Sequence, residues 1–476
     1  MIPRRDIIYL ASLSRRRLLK YGFYGGLSVG LAPYLWLSGC ERKSRNSRPS
    51  VILITVDTLR ADHLSCYGYQ KNTSPNIDQF SKDALLFENC LSHAPVTSSS
   101  FASMLSGYFP HETKVFANLS LPKEVRILPE LLKPYGYKTA AVVSNYALRK
   151  KKGWAHKFET YDDTLNVVRH IPERIAEHTT NTSIKLLRQF SKDQLFMWIH
   201  YQDPHGPYIP PASYNEMFKA PARQPRELKL NTKVSGYGGI PSYQQLGTNR
   251  GYSYYVSQYD GEIRYMDEQF KRLLDVLKEH GLYDDALIIF TSDHGEGMGE
   301  HNYYFAHGEN LYHNLLHVPL IVKYGKQSTG RRLDFVQHLD IVPTILKTVG
   351  LKTNSSLRGR DLFEQDLQNR EIFAEMNSPR NVDGIKFSVV IDGLKLIYTQ
   401  LNEQYQLFDL KTDRLEERNL INKLEYQKHA KDLKASLRRI ASEDLLGLDI
   451  ANKPRKLTRD EIEKLRSLGY VDYKPK

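Results

Sequence analysis

The stretch VILITV at residues 51–56 constrains the fold most, because it is a continuous run of apolar and mostly β-branched residues. Such a run, without polar alternation, indicates a strand buried on both faces, as in a parallel sheet. Similar runs follow at 139–143, 195–199 and 286–291, and helical patterns lie between them, the clearest at 260–280. The alternation predicts an α/β fold, an α/β/α sandwich with a large, mostly parallel sheet.

The pattern changes after Leu362. Short segments at 387–391, 394–399 and 405–408 are separated by polar turns, which predicts a small antiparallel sheet. A capping box at 458–461 and a stop at Gly469 predict a last helix. We therefore expect a main domain at 50–362 and a small C-terminal α+β subdomain at 363–476.

The N-terminus has the features of a targeting segment rather than of a folded element. Residues 14–20, SRRRLLK, resemble a twin-arginine export signal, and residues 37–40, LSGC, resemble a bacterial lipobox. We expect a signal peptide at 1–39, lipidation of Cys40 and a charged tether at 40–49. The alternative is an ordinary membrane anchor. Either one places the rest of the chain outside the bacterial cytoplasm and attached to a membrane.

The chain carries a formal net charge of +13, of which residues 1–39 contribute +5. The remaining positive charge attracts anionic substrates or surfaces. No nucleic-acid-binding motif accompanies it, so no nucleic-acid partner is expected. Two further cysteines, Cys66 and Cys90, either pair in the oxidising compartment or stay as buried thiols.

Polar side chains stand where the buried runs end. Asp57 follows the first run, and Asp293 and His294 follow the last. Ligand sites in parallel sheets gather at the carboxyl ends of strands, although a single carboxylate there is often only a helix cap. A hydroxyl, Thr97, begins a short predicted helix. Two carboxylates, an imidazole and a hydroxyl can hold one divalent cation and turn the hydroxyl into a nucleophile. This chemistry suits phosphate or sulfate esters.

A resemblance to a known family covers nearly all of the mature chain. The segments that carry it are 56–64, 66–69, 73–78, 97–107, 203–208, 259–263, 291–296, 307–308, 318–321 and 340–344. In order and spacing they are similar to the sulfatase branch of the alkaline phosphatase superfamily. The resemblance makes the main domain a catalytic domain that acts on an anionic ester of a glycan, a lipid or a small molecule.

The resemblance also implies roles for individual residues. The implied metal ligands are Asp57, Thr97, Asp293 and His294, with Thr97 at the nucleophile position. The implied contacts to the substrate or leaving group are His205 and His307. Arg60 either faces the anion or forms a structural ion pair, and His200 is expected to be structural.

The chain departs from this family at the nucleophile. Sulfatases that use formylglycine have a Cys or Ser in a C/S-x-P-S/A-R signature, whereas this chain has Thr97, with Ser99 in place of the Pro and Phe101 in place of the Arg. A threonine cannot be oxidised to the aldehyde of formylglycine. No formylglycine is therefore expected, and Thr97 itself should attack, which favours phosphate or phosphonate chemistry slightly over sulfate.

Other departures concern the metal and the substrate. The paired aspartates of many sulfatases are reduced to Asp57-Thr58, and His294 stands where calcium-type members often have Asn or Gln. An imidazole ligand favours Mn or Zn, with Ca or Mg as alternatives. Asn145 occupies the place of a substrate-binding lysine and is expected to offer only a neutral hydrogen bond.

Two functions follow from these expectations. The first is a metal-dependent hydrolase or transferase of sulfate or phosphate esters that acts through Thr97. The alternative is a catalytically silent lipoprotein that binds an anionic glycan or lipid, since the formylglycine signature is lost. A long Pro-, Gly- and Tyr-containing stretch at 219–251 is predicted to be a lid or binding loop, or else a surface excursion.

Overall fold

A computed structural model describes residues 48–441, apart from 118, 169–170, 220–225, 234, 326–328 and 378–383. The predicted signal peptide, Cys40, most of the tether and the last helix lie outside the described residues and stay predictions. Within the described ranges, no helix combines the length and the apolar character needed to cross a membrane.

The described strands and helices are connected by short loops and 3-10 turns. The strands are β1 Val51–Val56, β2 Leu85–Leu91, β3 Lys138–Val142, β4 Thr160–Asp162, β5 Asn166–Val168, β6 Ile171–Glu173, β7 Leu195–Tyr201, β8 Lys229–Leu230, β9 Gly239–Ile240, β10 Leu287–Ser292, β11 His317–Lys323, β12 Gly330–Gln337, β13 Glu371–Met376, β14 Lys386–Ile391, β15 Leu394–Thr399 and β16 Gln404–Asp409. The helices are α1 Pro75–Lys82, α2 Thr97–Ser106, α3 Pro110–Thr113, α4 Leu128–Leu132, α5 Ala176–Phe190, α6 Ala212–Asn215, α7 Tyr252–Glu279, α8 Leu282–Asp285, α9 His313–Leu316, α10 Ile341–Thr348 and α11 Gln427–Ile440.

The large sheet has eight strands in the order β12-β2-β11-β10-β1-β7-β3-β4. Its strands run parallel except β11, which is antiparallel to both of its neighbours. The strand β1 lies at the centre, with Val56 paired to Ser292 on one side and to Tyr201 on the other. This register brings the carboxyl ends of β1, β7 and β10 to one edge, where the polar residues that follow them meet.

Both faces of the sheet are covered, as the continuous apolar runs predict. Along β1, Ile52 and Ile54 pack in the cluster that contains α5 and α7 residues, while Val51 and Leu53 pack on the opposite side with α2 and α10. All of these side chains are fully buried. The predicted α/β/α sandwich is confirmed. The helix expected at 260–280 begins earlier, at Tyr252, because its first two turns are polar and aromatic and hide the periodicity.

The C-terminal part contains the predicted antiparallel sheet, in the order β13-β14-β15-β16. The helix α11 packs Leu433 and Leu437 against this sheet, in one cluster with Phe387 and with Phe109 from the main domain. The sheet is therefore joined to the main domain by a shared apolar core. Cys66 and Cys90 are buried free thiols in this structure.

Candidate active site

Two buried carboxylates face each other across the ends of β1 and β10. The Asp57 Oδ2 atom accepts a hydrogen bond of 2.5 Å from Asn145 Nδ2. The Asp293 Oδ1 atom accepts bonds of 3.1 Å from the Thr58 backbone N–H and 2.8 Å from the His294 N–H. Thr58 has a left-handed backbone (φ 54°), which is rare for a β-branched residue and marks a functional turn here.

Each of these carboxylates keeps one oxygen for another ligand. Asp57 Oδ1 and Asp293 Oδ2 are buried and have no hydrogen-bond partner among the described residues. An unpaired buried carboxylate oxygen is costly, and such a group calls for an ion or another partner. The two oxygens thus make this edge of the sheet a candidate cation site.

His294 completes the group. Its Nδ1 atom lies 3.0 Å from the Gly295 carbonyl oxygen, which assigns the proton to Nδ1 and the lone pair to Nε2. Nε2 lies 3.5 Å from Asp293 Oδ2. Ligand atoms of Asp57, Asp293 and His294 all lie within 4.8 Å of one another, and all three side chains are fully buried. Two carboxylates and one imidazole fit a divalent cation.

The raised pKa values of the two carboxyl groups also favour a bound cation. Burial is the largest cause that raises the pKa of the Asp57 and Asp293 carboxyl groups above their usual range. The negative charge of Asp57 raises the pKa of Asp293 further, while His294 opposes both shifts. Two crowded, desolvated carboxylates are stabilised by a bound cation, which removes both the repulsion and the desolvation penalty.

Thr97 lies beside the three ligands at the first residue of α2. Its Oγ1 atom is 3.5 Å from His294 Nε2, and the side chain is fully buried. The serines around it have a structural role, because Ser92 and Ser100 both donate to the Asp293 carbonyl oxygen, at 2.6 and 2.7 Å. They tie the start of α2 to the end of β10, which fixes Thr97 next to the candidate cation site.

Two further histidines approach from later loops. The His307 ring lies 4.6 Å from the His294 ring and 5.1 Å from the His205 ring, measured between centroids. His307 Nδ1 is 3.1 Å from Glu296 Oε1, and the other Glu296 oxygen accepts a 3.0 Å bond from Tyr208. Burial raises the Glu296 pKa to about 7. Sequence reasoning assigned no role to Glu296, although it closes the quoted stretch 291–296 and orients His307.

The chain is similar to known proteins over most of its length. A family model described as Sulfatase matches residues 49–351, well over half of the chain. The chain belongs to the sulfatase family. A second model, described as the C-terminal region of N-sulphoglucosamine sulphohydrolase, matches residues 299–443.

Individual members of the family are similar at low identity. An N-acetylglucosamine-6-O-sulfatase from Bacteroides thetaiotaomicron is 25% identical, over 84% of this chain and 88% of the relative. A structure solved with its substrate D-glucosamine-2-N,6-O-disulfate superimposes with a TM-score of 0.68 at 21% identity and covers 86% of this chain and 99% of that one. The phosphonate monoester hydrolase of Agrobacterium radiobacter superimposes with a TM-score of 0.66 at 20% identity and covers 83% and 95%. This sulfatase-family chain is a sulfate- or phosphate-ester hydrolase of the alkaline phosphatase superfamily.

Phe101 takes the place of the signature arginine, one turn after Thr97. Its ring lies 4.9 Å from the rings of both Trp198 and His200. His200 Nε2 is 3.4 Å from Asp57 Oδ2, and burial lowers the His200 pKa to about 4, so the ring is neutral. Sequence reasoning treated His200 as structural, but it lies against a candidate ligand. Its position at the end of β7 was the available signal.

Two residues expected to contact substrate are engaged elsewhere. The Arg60 guanidinium binds Asp62 through two hydrogen bonds of 2.9 and 2.7 Å and lies 2.8 Å from Glu300, which is the ion-pair alternative of the sequence analysis. The Asn145 amide donates to Asp57, and its Oδ1 accepts from Ala147 N at 2.7 Å. The structure therefore directs Asn145 toward a candidate metal ligand.

The site is closed to solvent. Asp57, Thr97, Asp293 and His294 have no exposed surface, and His205 and His307 are only 2% and 5% exposed.

Proposed function

We propose that this sulfatase-family protein cleaves an anionic phosphate or sulfate ester with Thr97 as the nucleophile, and that it prefers phosphate or phosphonate chemistry. The observation that carries the proposal is the buried Thr97 hydroxyl, 3.5 Å from His294 Nε2 and next to the carboxylates of Asp57 and Asp293. The residue at this position cannot become formylglycine, so the threonine hydroxyl is the group available to attack.

Asp57, Asp293 and His294 would hold one divalent cation, with Thr97 as a further ligand. The imidazole favours Mn or Zn over Ca or Mg. When bound, the cation supplies positive charge that stabilises the deprotonated hydroxyl and the oxygens of the transferred group.

The chain's own groups then divide the reaction into two steps. Thr97 Oγ1 forms a bond to phosphorus or sulfur while the bond to the leaving oxygen breaks, and His205 or His307 donates a proton to that oxygen. Water or an acceptor alcohol then gives a proton to the same histidine and attacks the phosphorus or sulfur of the threonine ester, which releases Thr97 in its deprotonated form. Glu296 holds the His307 ring through Nδ1 and so fixes its orientation during both steps.

The proposed setting follows from the terminal signals. Export, lipidation of Cys40 and attachment to the outer face of a bacterial membrane would place the site in contact with extracytoplasmic esters. The relatives that act on sulfated glucosamines support a glycan ester as one candidate substrate.

An ester panel tests the proposal. The mature protein is loaded with Mn²⁺ or Zn²⁺ and assayed with bis-p-nitrophenyl phosphate, p-nitrophenyl phosphate and p-nitrophenyl sulfate. Thr97→Ala should lower turnover at least about 10³-fold, since loss of a nucleophile leaves only the rate that binding groups supply. Ser103→Ala, a change on the same helix at a buried hydroxyl without a described partner, is the matched control and should keep normal turnover.

Three results contradict the proposal in different ways. Turnover that survives Thr97→Ala removes the nucleophile assignment. A sulfate ester cleaved far faster than both phosphates reverses the preference for phosphorus. No turnover of any ester supports the silent anion-binding lipoprotein instead.

A further inference from the structure

The stretch at 219–251 contains an insertion, described at 226–233 and 235–251, that packs on the loops carrying His205 and His307. Its base is closed by a hydrogen bond of 2.9 Å from Leu228 N to the Arg250 carbonyl oxygen. Its middle is bonded to the segment just before His307. The Tyr304 N–H donates to the Gly236 carbonyl oxygen at 2.9 Å. The Tyr243 hydroxyl donates to the Phe305 carbonyl oxygen at 3.0 Å. The described part of the insertion is thus held against the segment that leads to His307.

One side chain of this insertion lies against the residue that follows His205. The Gln244 amide lies against Gly206, so closely that a Cβ atom at Gly206 would overlap it. Gly206 directly follows His205, whose Nδ1 is 2.8 Å from the Gly206 carbonyl oxygen. Gln244 therefore lies next to the turn that carries His205.

The Gln244 amide is fully buried, and neither its Nε2 nor its Oε1 has a hydrogen-bond partner among the described residues. Gln202, at the other end of the same turn, is 2% exposed and also has both amide atoms unpartnered in the described chain. Buried amides are hydrogen-bonded in the great majority of native structures. Two such groups beside the turn that carries His205 indicate that a polar ligand binds there.

We propose that Gln244 is a specificity-determining residue that binds a hydroxyl group of the leaving alcohol, next to the scissile ester oxygen. A carboxamide offers donors and an acceptor, and a hydroxyl can satisfy both kinds of atom at once, whereas an anionic oxygen satisfies only the donors. This inference rests on the proposed function.

The experiment compares two esters that differ in the leaving group. Glucose 6-phosphate carries hydroxyls near the ester oxygen, while p-nitrophenyl phosphate carries none. Gln244→Ala should raise KM for glucose 6-phosphate at least tenfold and change kcat/KM for p-nitrophenyl phosphate less than twofold, because a site built for a hydroxyl discriminates strongly through its paired polar groups. Gln245→Ala is the matched control, since Gln245 is a neighbour on the same turn that donates to the Asn231 carbonyl oxygen.

A second variant separates substrate binding from packing. Gln244→Leu keeps a similar volume and removes the unpaired amide atoms, so it should unfold at the same or a higher temperature than the wild type while losing the same selectivity. Equal losses with both esters, no change with either, or the same effect from Gln245→Ala overturn the inference. Cleavage of p-nitrophenyl phosphate without any cleavage of glucose 6-phosphate by the wild type also overturns it, yet leaves the Thr97 mechanism standing.

Discussion

Replacement of Asn145 by Ala distinguishes a role in binding substrate from a role in holding the Asp57 carboxylate. The side chain was expected from the sequence to contact substrate, but it donates a 2.5 Å hydrogen bond to Asp57 Oδ2. This bond lowers the Asp57 pKa, opposing the burial that raises it. Its loss should let a proton compete with the cation for the carboxylate and should also free the carboxylate to rotate.

The expected loss of Mn²⁺ affinity follows from the strength of the Asn145–Asp57 hydrogen bond. A hydrogen bond to a charged group contributes about 1.5–3 kcal/mol. Asn145→Ala should therefore weaken Mn²⁺ binding about 10- to 100-fold near pH 6, the range typical of residues that hold a metal ligand. The loss should shrink as the pH rises, because the carboxylate then ionises without the donor.

Competition between the stripped protein and a fluorescent Mn²⁺ chelator, run at pH 6 and pH 8, measures this effect. Asn145 Oδ1 also accepts from Ala147 N two residues on, so Asn354→Ala, which removes an equivalent bond to Ser356 N far from the site, is the matched control. An unchanged Mn²⁺ affinity with a raised KM for ester would refute the positioning role and restore the expected contact with substrate.

Three other outcomes follow from the same structure. Removal of metal by a chelator should lower the unfolding temperature more at pH 7.5 than at pH 5. The pKa values of Asp57 and Asp293 are raised, so at pH 5 protons partly replace the cation on these carboxylates. Calorimetry at both pH values measures the difference. His93 is buried, its Nδ1 is 2.5 Å from the Phe373 carbonyl oxygen, and burial lowers its pKa to about 4. The neutral ring thus contributes stability that is full above pH 6.5 and is lost as the pH falls toward 4, by up to roughly 3 kcal/mol; urea unfolding of His93→Gln should show a shallower loss across this window. Phe101→Ala should cost about 3–5 kcal/mol of unfolding free energy, since it empties the space between Trp198 and His200; a cost below 1 kcal/mol in urea unfolding would contradict this packing role.

Local pattern was sufficient for the central strands and for the residues that end them. A run such as 51–56 can bury both of its faces only inside a covered parallel sheet, and the ends of such strands lie together at one edge. For this reason the sequence alone predicts that Asp57, Asp293 and His294 lie near one another. The edge strand β12 carries no comparable apolar run and was missed. The antiparallel strand β11 was also missed, because Pro319 interrupts its apolar run at 318–322.

The sequence by itself determined the fold class, the cluster of candidate ligands and the absence of a formylglycine precursor at Thr97. Only the tertiary structure decided where Arg60 and Asn145 point, that Glu296 and His200 support the site, and that Gln244 lies against Gly206. The physical reason is separation along the chain. Arg60 meets Glu300 across 240 positions and Asn145 meets Asp57 across 88, so the choice among partners depends on how the loops pack, which local periodicity does not encode.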